Sequence, residues 1–471
     1  MTSYTAQIER IKEKLLQAKI ADRHYDVFGA SSHKYVLHAP AKEEEVLAFE
    51  AAHGFTLPGC YRAFILGVGN GGNAYSGGGA GPFYGVYKLG DDIDAFVEPQ
   101  YLKNDCLIYP GMTKEYWNAL MARLDAAGED EISDEDYPAE IGRVFGGIMP
   151  IGSQGCSYLH GIILNGPHAG KVVNLSEDRY QPIFTFEDNF LDWYERWLNE
   201  VITGQLHTNG AAWFGYHMGG PDAELIRQFL DAEDEQEKKD CLDGVQWKKF
   251  ITARTIEVVE SACFNPALAA YQEQLLLILT KHAYERAKPI LIQFAAVKIG
   301  KVCSLVHYYA KEQKAEWLPF VRQYIHTVQD KDEFRFCTYF LTEEDGDLLI
   351  PFMECDEADI RVTAIYTLGK FQHKQRYLDT FIKSLYDAEN SVVHATLQAL
   401  SGLHDTSLLP HYKKVAERYP RETAAILSNL DGRLYDYNLN HNTIKDWQPS
   451  TAGEPGPLFS WFLPKRRDKK T

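Results

Sequence analysis

No uninterrupted apolar run in these 471 residues approaches the ~20 that a membrane-crossing helix needs, and the N-terminal segment is charged and amphipathic where a secretory leader would be apolar. Neither a membrane span nor a leader is expected. The eight cysteines (Cys60, Cys106, Cys156, Cys241, Cys263, Cys303, Cys337 and Cys355) lie scattered in apolar surroundings without paired spacing, which excludes a disulfide framework and suits buried thiols in a reducing cytoplasm. The 16 histidines form no His-Glu-x-x-His pair and no His/Cys ligand spacing, and no serine sits in a glycine-flanked nucleophile elbow. The chain therefore reads as non-enzymatic, with no catalytic residue, no cofactor site and no metal ligand.

Positive charge is also short. Lys and Arg number 48 against 66 Asp and Glu, a net charge of −18, and the deficit sits in residues 1–210, with 16 basic against 29 acidic, rather than in 211–471, with 32 against 37. Such a surface repels nucleic acid and anionic membrane and attracts a basic partner; solubility alone is the other reading. A composition 45% hydrophobic and 24% charged argues for folded domains, and the length leaves room for two or three.

The strongest positive signal runs from Leu57 to Gly72. Pro58 suits a first helical position, Tyr61, Phe64, Ile65 and Val68 recur at helical spacing, and Asn70-Gly71-Gly72 supplies the stop. The aromatic run Phe83–Leu89 then reads as a strand. Upstream, residues 1–20 predict a helix with Ile8, Ile11, Leu15 and Leu16 on one stripe. Lys42 to Ala52 predicts another, with Val46 and Phe49 on one face and Glu43, Glu44 and Glu45 in the first turn, where the helix dipole favours negative charge.

The Leu-Pro-x-x-Tyr-Arg-x-Phe run of residues 57–64, closing in Gly69-Asn70-Gly71-Gly72, resembles the signature of the SUKH superfamily, the domain of fungal cell-wall assembly regulators and of many bacterial toxin-immunity proteins. Ile151–Cys156, Gly161–Pro167 and Gly170–Val173 are similar to that family's central hairpin, and Phe186–Leu198 to its closing helix. The resemblance covers residues 22 to 205. It implies an α+β domain, an antiparallel sheet with flanking helices, that works by binding protein.

From Asp91 to Arg143 the pattern departs from a minimal domain of that kind. It reads as an inserted helical segment that ends in the acidic run Glu129–Asp136, a solvated loop. That run lacks the glycine at the sixth position that an EF-hand loop requires. Gly67–Gly72 satisfies G-x-G-x-x-G but closes a helix instead of opening one, so no dinucleotide is expected. Gly166–Val172 is one residue short of a phosphate loop and has Val172 where magnesium needs a hydroxyl, so it reads as a hairpin turn. His160 and His168 flank that hairpin, where lone histidines are usually solvated or hydrogen-bonded.

Past Leu206 the glycine-rich Asn209–Pro221 reads as a linker, after which strands vanish. Between Asp347 and Leu409 a repeat appears at a shift of 32, pairing Leu349 with Phe381, Ile350 with Ile382, Met353 with Leu385, Ile360 with Val392, Ile365 with Leu397, Leu368 with Leu400 and Phe371 with Leu403. Such units stack because neither copy can bury its apolar face alone. The copies resemble HEAT repeats, with Ala267–Lys281, Pro289–Tyr309 and Trp317–Val328 as degenerate members; a two-repeat unit within a plain helical bundle is the alternative. The expected organisation is a SUKH-like domain over 1–206, a linker over 207–220, a helical repeat domain over 221–430 and a polar tail over 431–471. In that tail Leu458–Leu463 and the basic run after it suit a docking motif, a membrane-touching patch or, as favoured here, a strip that folds back on the repeats.

The expected partner-binding site is the rim of the long glycine-rich loop Asn73–Pro82 together with the acidic insertion: Tyr75, Phe83, Tyr84, Glu129, Asp130, Glu131, Asp134, Glu135 and Asp136. Its expected occupant is a basic toxin domain, possessing a cleft such as a nuclease has, with neither nucleic acid nor membrane bound directly. An intracellular scaffold built on the repeats is the second reading.

Overall fold

Seventeen of the first 21 residues form one helix, because Thr5–Ala21 (α1) carries Ile8, Ile11 and Ala18 at helical spacing on the face it buries. Leu16, expected on that stripe, is 66% exposed. The structure is a computed structural model that describes residues 4–74, 77–126, 132–208, 213–419 and 423–448. These fall into two compact units that divide between Ala283 and Tyr284.

In the first unit a short turn of helix, α2 (Ala30–His33), leads to α3 (Glu43–His53) and α4 (Gly59–Gly67). Glu43, Glu44 and Glu45 do occupy the first turn of α3. Pro58 is the N-cap of α4, one residue earlier than expected, and Cys60, Tyr61, Phe64 and Ile65 are the buried face. The glycine turn that follows is tight: Gly71 has φ +48°, and a Cβ there would lie 2.1 Å from the Tyr87 carbonyl oxygen.

The predicted strand over Phe83–Leu89 does not form. Phe83 and Gly85 both take positive φ, +53° and +93°, which breaks the extended run and leaves only the bridges Gly72–Tyr87, Gly79–Val86 and Val86–Gly152. The insertion contains α5 (Lys114–Met121), capped by the Thr113 side chain, and α6 (Tyr137–Phe145). The segment is helical as expected, and Trp117, Leu120 and Met121 of α5 with Val144 and Phe145 of α6 join the core.

The sheet is antiparallel in the order β1 (Ile148–Gly155), β2 (Tyr158–Ile163), β3 (Val172–Ser176) and β4 (Ile183–Phe184). Its β1–β2 and β2–β3 pairings confirm the predicted hairpin, with Gly166 and Gly170 in left-handed turns between β2 and β3. Helix α7 (Phe190–Ile202) closes the sheet, N-capped by Asn189, and buries Phe190, Trp193, Trp197 and Leu198; Phe186 lies before the helix and is exposed. The ring of Phe64 meets Phe190 at 5.0 Å and Tyr194 at 4.7 Å, which locks α4 onto α7. Helices α8 (Asp222–Asp231), α9 (Glu235–Trp247), α10 (Ala253–Cys263) and α11 (Gln272–His282) complete this unit.

The second unit is helical throughout its described residues: α12 (Tyr284–Tyr309), α13 (Lys314–Tyr324), α14 (Lys331–Thr338), a 3₁₀ segment Glu343–Glu354, α15 (Ala358–Gly369), α16 (Leu378–Ser384), α17 (Asn390–Ala399), α18 (Leu409–Arg418) and α19 (Ala424–Leu434). Helices α12, α14, α15, α17 and α19 pack in sequence as one row, while α13, the 3₁₀ segment, α16 and α18 pack on its members. That is the layering of stacked helical repeats. The 32-residue shift is structural: in five of the seven pairs both residues are buried, and Ile350 with Ile382 and Phe371 with Leu403 are half-buried alike. Pro351 explains why the first helix of the earlier copy is 3₁₀ where its counterpart, α16, is α.

Two expectations need correction. Helix α12 is long and apolar enough to cross a membrane, although half of its apolar window is buried within its own unit. Cys156 is exposed, Cys106 and Cys355 are half-buried, and only the other five thiols are buried; all eight are free.

Candidate protein-binding surfaces

Tyr84 is the exposed aromatic of the predicted rim. Its backbone N–H donates to the Ser153 carbonyl at 3.2 Å, its ring lies over Gly155 and it meets Phe28 edge-on at 5.3 Å. Phe83 faces inward, buried against Phe28 and His160. The glycine loop is packed rather than projecting, because Gly78, Gly79 and Ala80 are buried and the Ala80 carbonyl accepts a 2.7 Å hydrogen bond from Tyr194 Oη. Tyr75 lies outside the described residues, as do Glu129, Asp130 and Glu131. Asp134, Glu135 and Asp136 are exposed just before α6, with Ser133 Oγ donating to Asp136 at 3.0 Å.

A different surface emerges where a linker was expected. Trp213–Gly220 lies across the sheet as a strap, with Phe214 buried, the Gly215 carbonyl accepting from Asn174 Nδ2 at 3.4 Å, Tyr216 Oη donating to Gln154 Oε1 at 2.8 Å and the His217 carbonyl accepting from Arg196 at 2.8 Å. Beneath it Gln154, His160 and Asn174 form a buried polar cluster, with Gln154 Nε2 donating to Asn174 Oδ1 at 2.8 Å and His160 Nδ1 at 3.1 Å from the same oxygen. Burial pushes His160 down to about 3, against the Asn174 hydrogen bond that favours its charge, so it is held neutral and hydrogen-bonded in the strand. Replacing Tyr216 by Phe removes one hydrogen bond and should destabilise this unit by about 1 kcal/mol, measured by urea denaturation; no change would mean that the strap is held by Phe214 alone.

Beside the strap, α7 presents a buried ion network. Arg196 donates to Glu187 Oε1 at 2.6 Å and to Glu200 Oε1 at 3.1 Å, and Lys248 Nζ reaches the same Glu200 oxygen at 3.3 Å. Burial opposes the charges of Glu200 and Arg196, yet Arg196 and then Lys248 hold the Glu200 carboxyl below its usual range, and Glu200 and then Glu187 raise the Arg196 guanidinium. His217 stacks on Trp247 at 4.4 Å and is pushed down to about 4, by burial first and by Arg196 second. Trp213, Trp247 and Phe250 are half-exposed around this network. Buried charge ringed by aromatic side chains is the composition of an interface centre.

Sequence reasoning missed this surface. The available signal was Trp213, Phe214, Tyr216 and His217 in a segment read as linker, since aromatic residues there have no reason to recur unless they pack.

One group of described residues has metal-ligand chemistry: Asp22, Asp26 and His207 bring one ligand atom each within 4.8 Å of one another. Asp22 is already engaged, accepting from the N–H groups of Asp26 and Val27 and from Tyr35 Oη, so its role in the structure is to close the turn after α1.

The SMI1/KNR4 family (SUKH-1) model matches residues 40–196, which span α3 to the middle of α7. This region is a SUKH domain, of a family whose members are generally non-catalytic immunity or regulatory domains that bind protein partners. No curated protein matches the chain.

Proposed function

We propose that this chain is a non-enzymatic immunity-type protein that works in the cytoplasm by binding and neutralising a basic toxin domain, a nuclease being the class whose cleft suits it. What carries the reading is that the SUKH-1 match falls within the acidic part of the chain, residues 1–210 with 16 basic against 29 acidic side chains. An acidic inhibitor is steered onto a phosphate-binding cleft and competes for it. The test is co-expression with the toxin domain encoded beside its gene. Growth should be rescued; continued killing by a toxin that the purified chain fails to bind sinks the reading.

Steering predicts a specific signature. Changing Asp134, Glu135 and Asp136 to their amides should slow association with that toxin by about threefold to tenfold at low ionic strength, with the difference vanishing at high salt, as stopped-flow mixing would read. Equal rates at low salt would remove this run from the encounter surface.

The stacked helices of the second unit favour a second reading, an intracellular scaffold or regulator, because repeat arrays offer extended surfaces to protein partners. Gene neighbourhood separates the two: a toxin gene alongside supports immunity, and its consistent absence supports scaffolding.

A further inference from the structure

Helices α12 and α14 approach each other more closely than residues bearing side chains on both sides allow. Gly300 of α12 is buried, and a Cβ there would overlap the Glu333 Cβ and come within 2.9 Å of the Glu333 Cα. About two turns further along, the His307 ring meets Phe336 at 5.7 Å and Tyr339 at 5.0 Å. The two helices therefore run side by side in the same direction, in contact before and after one intervening turn. Cys303 and Cys337 occupy that turn, three residues after Gly300 and four after Glu333, the spacings that keep helical side chains on one face. Both are fully buried and both thiols are free.

The group that Cys303 meets across the crossing is the other thiol. Burial raises the Cys303 thiol well above its ordinary value, and a hydrogen bond to Cys337 raises it further. A disulfide needs Cα atoms about 4.4–6.8 Å apart, a separation that helices meeting at a glycine one turn away bring within reach. Access is the remaining requirement. Helix α12 breaks at Lys298, with φ −139° and ψ 55°, so residues 299–309 form a short segment whose local opening uncovers Cys303 without dissolving the helix before it. A pair buried this deeply suits a small uncharged oxidant such as a peroxide over a bulky one.

We propose that Cys303 and Cys337 are a peroxide-responsive pair that closes into a disulfide and latches α12 to α14. One sulfur, as its thiolate, attacks a peroxide oxygen and becomes a sulfenic acid; the O–O bond breaks, and the released hydroxide takes the proton that the thiol gave up and leaves as water. The second sulfur attacks the sulfenic sulfur, the S–O bond breaks, and that hydroxide leaves with the second thiol proton as another water. Two thiols have then given two electrons to one hydrogen peroxide, and a reducing thiol reverses the change. In a reducing compartment such a bond is transient, which is the behaviour of a sensor and not of a framework. Closed, it ties the first two helices of the row together and encloses α13 in the loop between them.

The test treats the full chain with hydrogen peroxide, raised until the exposed Cys156 is oxidised, caps the remaining thiols by alkylation and maps the unreduced tryptic digest by mass spectrometry. Trypsin cuts after Lys301 and Arg335, so the two cysteines fall in separate peptides. Those peptides should appear joined, two hydrogens lighter than their sum, as the major disulfide, and dithiothreitol should separate them. Joining should raise the melting midpoint of the second unit by about 5–10 °C, since the loop it closes restricts the unfolded chain. Cys303→Ala should melt at the same temperature with and without peroxide, and the wild-type map decides the matter even if that variant does not fold. Recovery of Cys303 and Cys337 as alkylated thiols once Cys156 is oxidised, their appearance as separate sulfinic acids, or preferential joining of either to another cysteine overturns the proposal.

Discussion

Acidification from pH 7 to pH 5 should cost the first unit about 3–4 kcal/mol of stability. The source is His33 and His160. Burial pushes His33 down to about 4, outweighing the nearby Asp22 carboxylate and the Gly81 backbone, and pushes His160 down to about 3. A histidine with a depressed folded-state value is neutral when folded and takes up a proton on unfolding. Its stability contribution is complete above the unfolded value near 6.5 and is lost as pH falls toward the folded one. Each such group costs at most about 1.4 kcal/mol per pH unit, so the pair gives a slope of about 2–2.5 kcal/mol per unit between pH 6 and pH 4. His217 and His282, also depressed to about 4 but more open to solvent, add to the loss with a smaller weight. Hydrogen exchange of the β2, β3 and α7 amides in the full chain would measure this directly. His160→Gln should flatten the slope by about 1.4 kcal/mol per unit, whatever it does to stability at pH 7. A wild-type stability that is flat between pH 6 and pH 5 would show that these imidazoles are not buried.

Neither histidine announces itself in the sequence. His160 sits in a run, Tyr158–Ile163, whose hydrophobic residues are what mark it as a strand, and nothing in that pattern tells whether a polar residue between them faces water or a strap contributed from 50 residues later. Period and turn chemistry are local, so they found α1, α3, α4, α7, the hairpin and the 32-residue repeat. Phe83–Leu89 failed for the complementary reason. Aromatic residues favour strands on average, but Gly71, Gly72 and Gly79 bring three backbones so close that the chain turns through positive φ at Phe83 and Gly85, and only the folded packing reveals that. The partner-binding rim was drawn from a loop that looked too long for its connection. Its glycines prove to serve close approach within the core, so among the described residues only Tyr84 presents an exposed ring there. The ion network was illegible for a similar reason, since Glu187, Arg196, Glu200 and Lys248 converge from a loop, one helix and the end of another.

That convergence sets the size of the last effect. Replacing Arg196 with Ala should destabilise the first unit by about 3–5 kcal/mol, because it strands Glu187 and Glu200 in a site where their side chains are only 11% and 12% exposed. The loss should shrink under acid, where Glu200 can be protonated: the Arg196 guanidinium no longer holds its carboxyl low, so a proton removes the buried charge as pH falls through the usual carboxylate range. A network of this kind need not be a net source of stability. Changing Arg196 to Met together with Glu187→Gln and Glu200→Gln removes the charges in a balanced way and leaves an acceptor for Lys248, so most of the loss should return. Urea denaturation of the single and triple variants, with the Tyr216→Phe variant as a reference for the strap alone, separates the two effects. If Arg196→Ala costs under about 1 kcal/mol, the four charges behave as an exposed cluster, and the buried network cannot be sustained.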